Sequence, residues 1–214
     1  MSFKEKIKGF IDNISKKLSM RTTAIEHVIN INNQYINTEL KLINDSQDGI
    51  IALKNYADTE SLELENSISA LKLTFKGLES LKKEKIEKLK KEFIFPLQEI
   101  LEGYNNLKVK LIEADKAEKT AERLQLKYDK KKDKKTAIDI DETKFLLREA
   151  QDKYEILRTD VENMTETLNQ EKIKKLLSIL KGRIDIEKSY CEEALESIKS
   201  VLERYDVLES FSQE

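Results

Sequence analysis

Apolar residues recur at intervals of three and four along most of the chain. Between Thr59 and Lys135 this spacing keeps one apolar stripe on one face, which predicts a single long helix and not a strand. Such a helix would be roughly 110 Å long, so the pattern predicts an elongated molecule. The one proline, Pro96, falls inside this helix. Because proline removes a backbone hydrogen bond, we expect a bend between Glu92 and Pro96.

The same pattern predicts two further helices. The first spans about 22–56 and starts at a capping box in which Thr23 and Glu26 satisfy each other's backbone amides. Asp58 and Thr59 are good N-cap residues for the second helix, at 59–133, so the first turn is short and the two helices are antiparallel neighbours. The third helix spans about 141–210, and Gly182 is predicted to bend it at the height of Pro96.

The predicted fold class is all-α, a bundle of three long kinked antiparallel helices. The first helix is about half as long as the second and is expected to pair only with residues 60–96, which leaves a far half of two helices. Apolar residues such as Ile36, Leu42 and Ile51 are then expected on the surface of the three-helix half. We therefore predict a homodimer through these halves, with a six-helix centre.

Residues 1–18 are predicted to form a separate amphipathic helix, and 19–214 the helical domain. One face carries the apolar residues Phe3, Ile7, Phe10, Ile11, Ile14 and Leu18. Around it lie the basic residues Lys4, Lys6, Lys8, Lys16 and Lys17. An apolar stripe flanked by lysines is typical of a helix that inserts into a bilayer interface. The alternative is that these residues are the first turns of a core helix.

The net charge is only −2, yet charge is strongly segregated. Residues 123–135 hold seven basic and two acidic residues, whereas 185–214 hold nine acidic and three basic ones. The candidate anionic-lipid ligands at the second turn are Lys127, Lys130, Lys131, Lys132, Lys134 and Lys135, with a solvated loop as the alternative. A third lysine cluster, for which the pattern does not say which members would face a membrane, comprises Lys82, Lys83, Lys85, Lys88, Lys90 and Lys91.

The sequence contains no pattern typical of a catalytic, metal or cofactor site. His27 is the one histidine and has no second ligand at metal spacing, and Cys191 is the one cysteine, expected to be an inert core thiol. No cofactor motif or nucleophile–base pair is present, so we expect neither an enzyme nor a small-molecule substrate. The basic turn lacks aromatic residues other than Tyr128, which disfavours nucleic acid. Without a signal peptide or a transmembrane run, the expected location is cytoplasmic and peripheral to a membrane.

At this point the chain resembles the BAR superfamily, in particular the N-BAR group that includes endophilin and amphiphysin. Three motifs carry the resemblance in order: the Pro-Leu step at 96–97, the stretch Leu126-Lys127-Tyr128-Asp129-Lys130-Lys131-Lys132, and Ala150-Gln151-Asp152-Lys153-Tyr154-Glu155. The amphipathic character of residues 3–18 is a fourth feature. Lys127 departs from the Asp that is usual in the second motif.

The resemblance implies a crescent-shaped dimer that senses or generates membrane curvature in processes such as endocytosis. Its concave basic face and lysine tips would bind anionic phospholipid, with the N-terminal helix as a wedge. No SH3 module follows Glu214, so recruitment of proline-rich ligands is not expected of this chain unless it is a fragment of a longer protein, and helix 1 shows no insertion of the kind that endophilin carries. Two other classes stay open: a coiled-coil adaptor or cytoskeletal spacer without lipid binding, and a membrane-remodelling polymer similar to PspA or ESCRT-III.

Overall fold

The computed structural model describes residues 3–59, 62–133 and 137–211, and all of these except a turn at 58–59 are helical. Helix α1 spans Phe3–Ala57 and α2 spans Leu62–Leu89. A π-helical turn at Lys90–Ile94 joins α2 to α3, which spans Phe95–Asp133. Helix α4 spans Ala137–Phe211. The all-α class with three long helical segments is as predicted.

Helix α1 begins about twenty residues earlier than predicted. The backbone runs without a break through Thr23, where a capping box was expected, and the neighbouring Thr22 hydroxyl donates to the Ser19 carbonyl inside the helix. Threonine is tolerated there because its hydroxyl can bond back to the preceding turn. Continuous packing outweighs the local capping signal, because Ile11, Leu18 and Ile25 are all buried at helical spacing.

Asp58 and Thr59 terminate α1. The Asp58 amide donates to the Lys54 carbonyl, and both the amide and the hydroxyl of Thr59 donate to the Tyr56 carbonyl. These bonds satisfy carbonyls that a helix end leaves without partners. The two residues were predicted to cap the second helix; that role stays a prediction, because residues 60 and 61 lie outside the described part of the chain.

The irregularity predicted near Pro96 is present as the π-helical turn at Lys90–Ile94. Proline cannot donate to the carbonyl four residues earlier, and a π turn is one way in which a helix absorbs such a mismatch. Phe93 and Ile94 within the turn are buried, so packing fixes it in place. Helix α4 passes through Gly182 without interruption. The bends at Pro96 and Gly182 themselves stay predictions.

The chain divides into two compact units, each built from three helical segments. Unit 1 combines residues 1–26 with 99–175. Within it Lys175 bonds Glu99 and Lys131 bonds Thr143, and because the two residue numbers add to 274 in both pairs, α3 and α4 are antiparallel in one constant register. The prediction that this half has only two helices was wrong, because the first turns of α1 supply the third segment.

Unit 2 combines residues 27–98 with 176–214, and Lys85 ties its three segments together. The Lys85 side chain is only 4% exposed. Its ammonium group donates to the Tyr35 hydroxyl at 2.6 Å on α1 and to Glu187 at 3.3 Å on α4. It also lies 3.7 Å from Glu39 and 4.4 Å from the Tyr190 ring centre. Lys85 thus links α2 to both of its neighbours.

The electrostatics of this cluster keep Lys85 charged. Burial alone would lower the pKa of Lys85, but the hydrogen bond with Tyr35 and the charges of Glu187 and Glu39 outweigh burial and raise it. Burial likewise opposes ionisation of Glu187, yet its hydrogen bond from Arg183 holds the pKa of that carboxyl below its usual value. Both groups therefore stay ionised at neutral pH.

The apolar stripe predicted between Thr59 and Lys135 is confirmed in α3 and at Ile68 and Leu89 of α2, whereas the spacing in α1 and α4 predicts burial only in part. Leu97, Ile100, Tyr104, Leu107, Leu111 and Ala114 are buried, as the spacing predicts. In α4 the core residues include Leu147, Ile179 and Ile186, while Leu180, Ile184 and Leu195, which follow the same spacing of three and four, are exposed. Cys191 is exposed too, so its assignment to the core was wrong. In α1, Ile36 was expected on the surface and is buried, whereas Leu42 and Ile51 are exposed as expected.

Candidate membrane-binding surface

The end of the α3–α4 hairpin carries the predicted lysine cluster. The Lys131 ammonium group donates to the Thr143 hydroxyl at 3.1 Å, which joins the last turn of α3 to the start of α4. Lys127, Lys130 and Lys132 are exposed, whereas Lys131 is half-buried. Lys134 and Lys135 lie outside the described residues. Three of the predicted lipid ligands therefore present their charge to solvent, and a fourth helps to hold the hairpin together.

A longer basic row extends from this cluster along the outer face of α3. It consists of Lys116, Lys119, Arg123, Lys127 and Lys130, at steps of three, four, four and three. This spacing places all five on one side of the helix. The buried stripe of α3 defines the opposite side, and all five members are exposed. Lys116 and Lys119 were not among the predicted ligands, although their spacing relative to the core stripe places them on this side of the helix.

Charge is segregated between the two helices of this hairpin. Residues 116–132 of α3 hold seven basic and three acidic residues, a balance of +4. Residues 137–166 of α4 hold four basic and nine acidic residues, a balance of −5. Exposed acids on α4 include Glu149, Asp152 and Asp160. An anionic surface would thus be attracted to the α3 side and repelled by the α4 side.

Acidic residues of α3 partly neutralise the charge of its basic row near Lys119. Lys119 donates to the Asp115 carboxylate at 2.5 Å, and this hydrogen bond raises the pKa of Lys119. Burial, with the neighbouring charges of Glu122 and Asp115, raises the pKa of Glu118 above its usual range. The strongest unmoderated positive charge therefore lies toward the hairpin end, at Lys127, Lys130 and Lys132.

The structure places part of the predicted N-terminal wedge inside unit 1. Ile11 and Leu18 are 9% and 3% exposed, and Ile14 is half-buried beside α4 residues that include Thr165 and Asn169. Lys16 and Lys17 are exposed. The side chains of Phe3, Lys4, Lys6, Ile7, Lys8 and Phe10 lie outside the described part of the structure. Residues 11–18 thus form a packed helix whose lysines face solvent.

The third lysine cluster is largely taken up by contacts within unit 2. Lys85 is buried, and Lys82 pairs with Glu39. Lys88 pairs with Glu84, and Lys90 pairs with Glu87. Lys83 and Lys91 are exposed, with no acidic partner in the described part of the chain. Of the six lysines in this cluster, these two are the ones that could meet an external anion.

Unit 2 also presents an uncovered apolar surface. On α1 it includes Val28, Ile31, Leu42 and Leu53, of which the last three recur at steps of eleven residues, close to three helical turns. On α4 it includes Leu177, Leu180, Ile184, Leu195, Ile198 and Leu202, which are 41 to 67% exposed. Exposed apolar rows of this length mark interaction surfaces in soluble proteins.

The described residues contain neither a metal site nor a membrane-spanning helix. No group of His, Cys, Asp and Glu side chains there could hold a metal ion. None of the helical segments in the described ranges is long and apolar enough to cross a bilayer.

The fold and the basic surface together define a class: all-α proteins of long antiparallel helices with a cationic hairpin. No protein-family model and no curated protein sequence matches the chain. Among solved structures, it is similar to the amphiphysin BAR domain from Drosophila, with 17% sequence identity and a TM-score of 0.80. That match covers 97% of this chain and 95% of the amphiphysin chain.

A second similar structure is the N-terminal I-BAR domain of D. discoideum IBARa. It has 16% sequence identity and a TM-score of 0.54, and the match covers 96% of this chain and 92% of that one. The chain therefore has the BAR-domain fold, and the resemblance to the BAR superfamily noted from its motifs is confirmed at the level of the fold.

Proposed function

We propose that the protein is a membrane-curvature scaffold that binds anionic phospholipid bilayers as a peripheral homodimer. The observation that carries this proposal is the exposed basic row on α3, together with the exposed Lys132 at the same hairpin end, on a BAR-type fold. The apolar rows of unit 2 supply a surface for the second protomer. A scaffold needs both features, because it must hold a fixed shape and press that shape against the bilayer.

The energetics favour a lipid surface as the partner. A basic side chain close to an anionic bilayer contributes on the order of 1 kcal/mol. Three exposed lysines on each of two protomers then contribute roughly 6 kcal/mol before screening. The attraction acts over about 10 Å at 0.1 M salt, so binding should weaken as salt is added.

Reversing the charge of Lys127, Lys130 and Lys132 is expected to weaken binding to anionic vesicles by at least about 100-fold, because salt screens much of the roughly 6 kcal/mol of attraction. The reason is that three favourable contacts per protomer become repulsive. The measurement is co-sedimentation of K127E/K130E/K132E with phosphatidylserine-containing and neutral vesicles at low salt, with electron microscopy of the pellets to detect tubules.

Two matched variants accompany this test. K127R/K130R/K132R keeps the charge and should bind and form tubules like the native chain. K41E/K54E/K199E carries the same change in net charge at three exposed positions of unit 2 and should lose far less affinity. Equal losses in the two glutamate variants would show that net charge alone acts. If the native chain stays in the supernatant with anionic vesicles, the membrane proposal fails and a coiled-coil adaptor becomes the better reading.

We propose that residues 3–18 act as a wedge only after they leave their contacts in unit 1. Because Ile11 and Leu18 pack within unit 1, insertion requires this segment to exchange bundle contacts for acyl chains. A Phe10→Trp variant should then show quenching by brominated lipids only in anionic vesicles. Vesicle binding without quenching would show that the segment stays in the bundle and that the basic surface binds alone.

A further inference from the structure

Helix α4 carries a row of apolar side chains that unit 2 leaves uncovered. Six residues follow one another at steps of three, four, seven, four and three: Leu177, Leu180, Ile184, Cys191, Leu195 and Ile198. All six are exposed, and the five larger side chains are 41 to 67% exposed. With the seven-residue step counted as two turns, the 21 residues of the row make six turns of 3.5 residues, which is the repeat of a two-stranded coiled-coil seam.

The steps read the same in both directions, so one two-fold rotation maps every residue of the row onto another. The geometry points to a self-contact in which α4 of one protomer lies antiparallel to α4 of a second copy, about an axis between Glu187 and Lys188. Leu177 then faces the partner's Ile198, Leu180 faces the partner's Leu195, and Ile184 faces the partner's Cys191. The inference rests on the proposed homodimer and adds its register.

The neighbouring registers are less favourable. Moving the axis to Cys191 sets Leu195 against Glu187, and moving it to Ile184 sets Leu180 against Lys188. Each of these places a charged side chain directly against a leucine in the seam, where the charged group would lose contact with water. The register centred between Glu187 and Lys188 is the one that joins all six apolar residues in pairs.

In this register Glu187 and Lys188, the polar residues at the centre of the row, need no new partner. Glu187 already accepts hydrogen bonds from Lys85 and Arg183 within its own chain. Lys188 is exposed and lies 3.8 Å from Glu192, so it can keep its contact with water beside the axis. The charge of Glu187 is thus compensated before the second copy arrives.

The spacing of the row favours a second copy over a membrane as its occupant. Exposed charges of both signs lie beside the row, including Lys181, Lys188 and Lys199 as well as Asp185, Glu192 and Glu196. Because these charges largely balance, they give an anionic bilayer little net attraction. A two-fold contact requires a patch that is complementary to itself, which the paired spacing provides.

Cysteine cross-linking tests the register directly. An Ile184→Cys variant places each new thiol opposite the partner's Cys191, so mild oxidation should shift most of the protein to a disulfide-linked dimer on a non-reducing gel. In the native chain the two Cys191 positions lie about 10 Å apart along the helices, beyond disulfide reach, so the native chain should stay uncrosslinked. Leu180→Cys, whose expected partner is Leu195, serves as the matched control and should also stay uncrosslinked.

The other outcomes overturn the register in distinguishable ways. Cross-linking of the native chain through Cys191 would move the axis to that residue. Failure of I184C to cross-link, while sedimentation velocity shows a dimer, would place the dimer contact on another face. A monomer at all concentrations would remove the dimer itself, and vesicle binding would then be judged separately. Because Ile184 is exposed, the helical content of I184C should match that of the native chain in circular dichroism.

Discussion

Replacing Lys85 with alanine is expected to lower the free energy of unfolding by about 3 kcal/mol. The substitution leaves Glu39 and Glu187, whose side chains are only 15% and 34% exposed, without the cation that lies between them. Glu39 Oε2 accepts no hydrogen bond in the described structure, so its compensation depends on nearby lysines. The measurement is urea unfolding followed by circular dichroism, at one protein concentration for all variants because the proposed dimer makes stability concentration-dependent.

The control for this prediction is Lys83→Ala. Lys83 lies in the same helix two residues earlier and is exposed, so its removal should change stability by less than about 0.5 kcal/mol. A double variant, K85M/E39Q, removes one charge of each sign and should recover part of the loss. Unfolding of K85A at the same urea concentration as the native chain would mean that the cluster is hydrated and contributes little to the fold.

Much of the fold follows from spacing alone, and α3 shows why. Most of its apolar residues occupy one stripe at steps of three and four, and that stripe is the buried one. Helix α4 instead has two apolar rows, one packed through residues such as Ile179 and Ile186 and one exposed through Leu180 and Ile184. Periodicity detects both rows equally. A single sequence does not say which row its own chain covers and which is left for a partner.

The start of α1 illustrates a second limit. The Thr23 and Glu26 pair is a good local signal for a helix beginning, but a capping interaction is worth only about 1 kcal/mol. Burial of a single Leu or Ile side chain is worth roughly twice that, and Ile11, Leu18 and Ile25 are all buried. The stripe therefore continues through the capping residues, and the choice between a core helix and a membrane helix depends on tertiary packing.

The basic surface was predicted only in part, because the exposure of a lysine also depends on tertiary packing. Lys127, Lys130 and Lys132 are adjacent to a turn, where any helix end is exposed, so a local cluster of charge was enough to find them. In the lysine cluster at 82–91, the positive charge of a residue does not indicate whether its side chain is buried. Lys85 looks like its neighbours in the sequence, and only the positions of Tyr35 and Glu187 on other helices identify it as a core residue.

Replacing Leu18 with alanine is expected to destabilise the protein by about 3 kcal/mol, within the range seen for buried leucines. Leu18 is 3% exposed within unit 1, so the shorter side chain leaves a cavity in its core. Thermal and urea unfolding of L18A, beside the exposed neighbour Lys17→Ala as control, measure the effect. An unchanged midpoint for L18A would mean that this segment is not packed in solution, as an independent membrane wedge would require.

This result also decides how membrane experiments on the N-terminus must be designed. Deleting residues 1–18 removes Ile11 and Leu18 together, so loss of vesicle binding by the truncated chain would follow from damage to unit 1 as readily as from loss of a wedge. Substitution of the exposed Lys16 and Lys17 separates the two causes, because it removes attraction to lipid and leaves the packed face intact. If K16E/K17E keeps its unfolding midpoint and loses vesicle binding, the segment contributes charge to the membrane surface while its apolar face remains in the bundle.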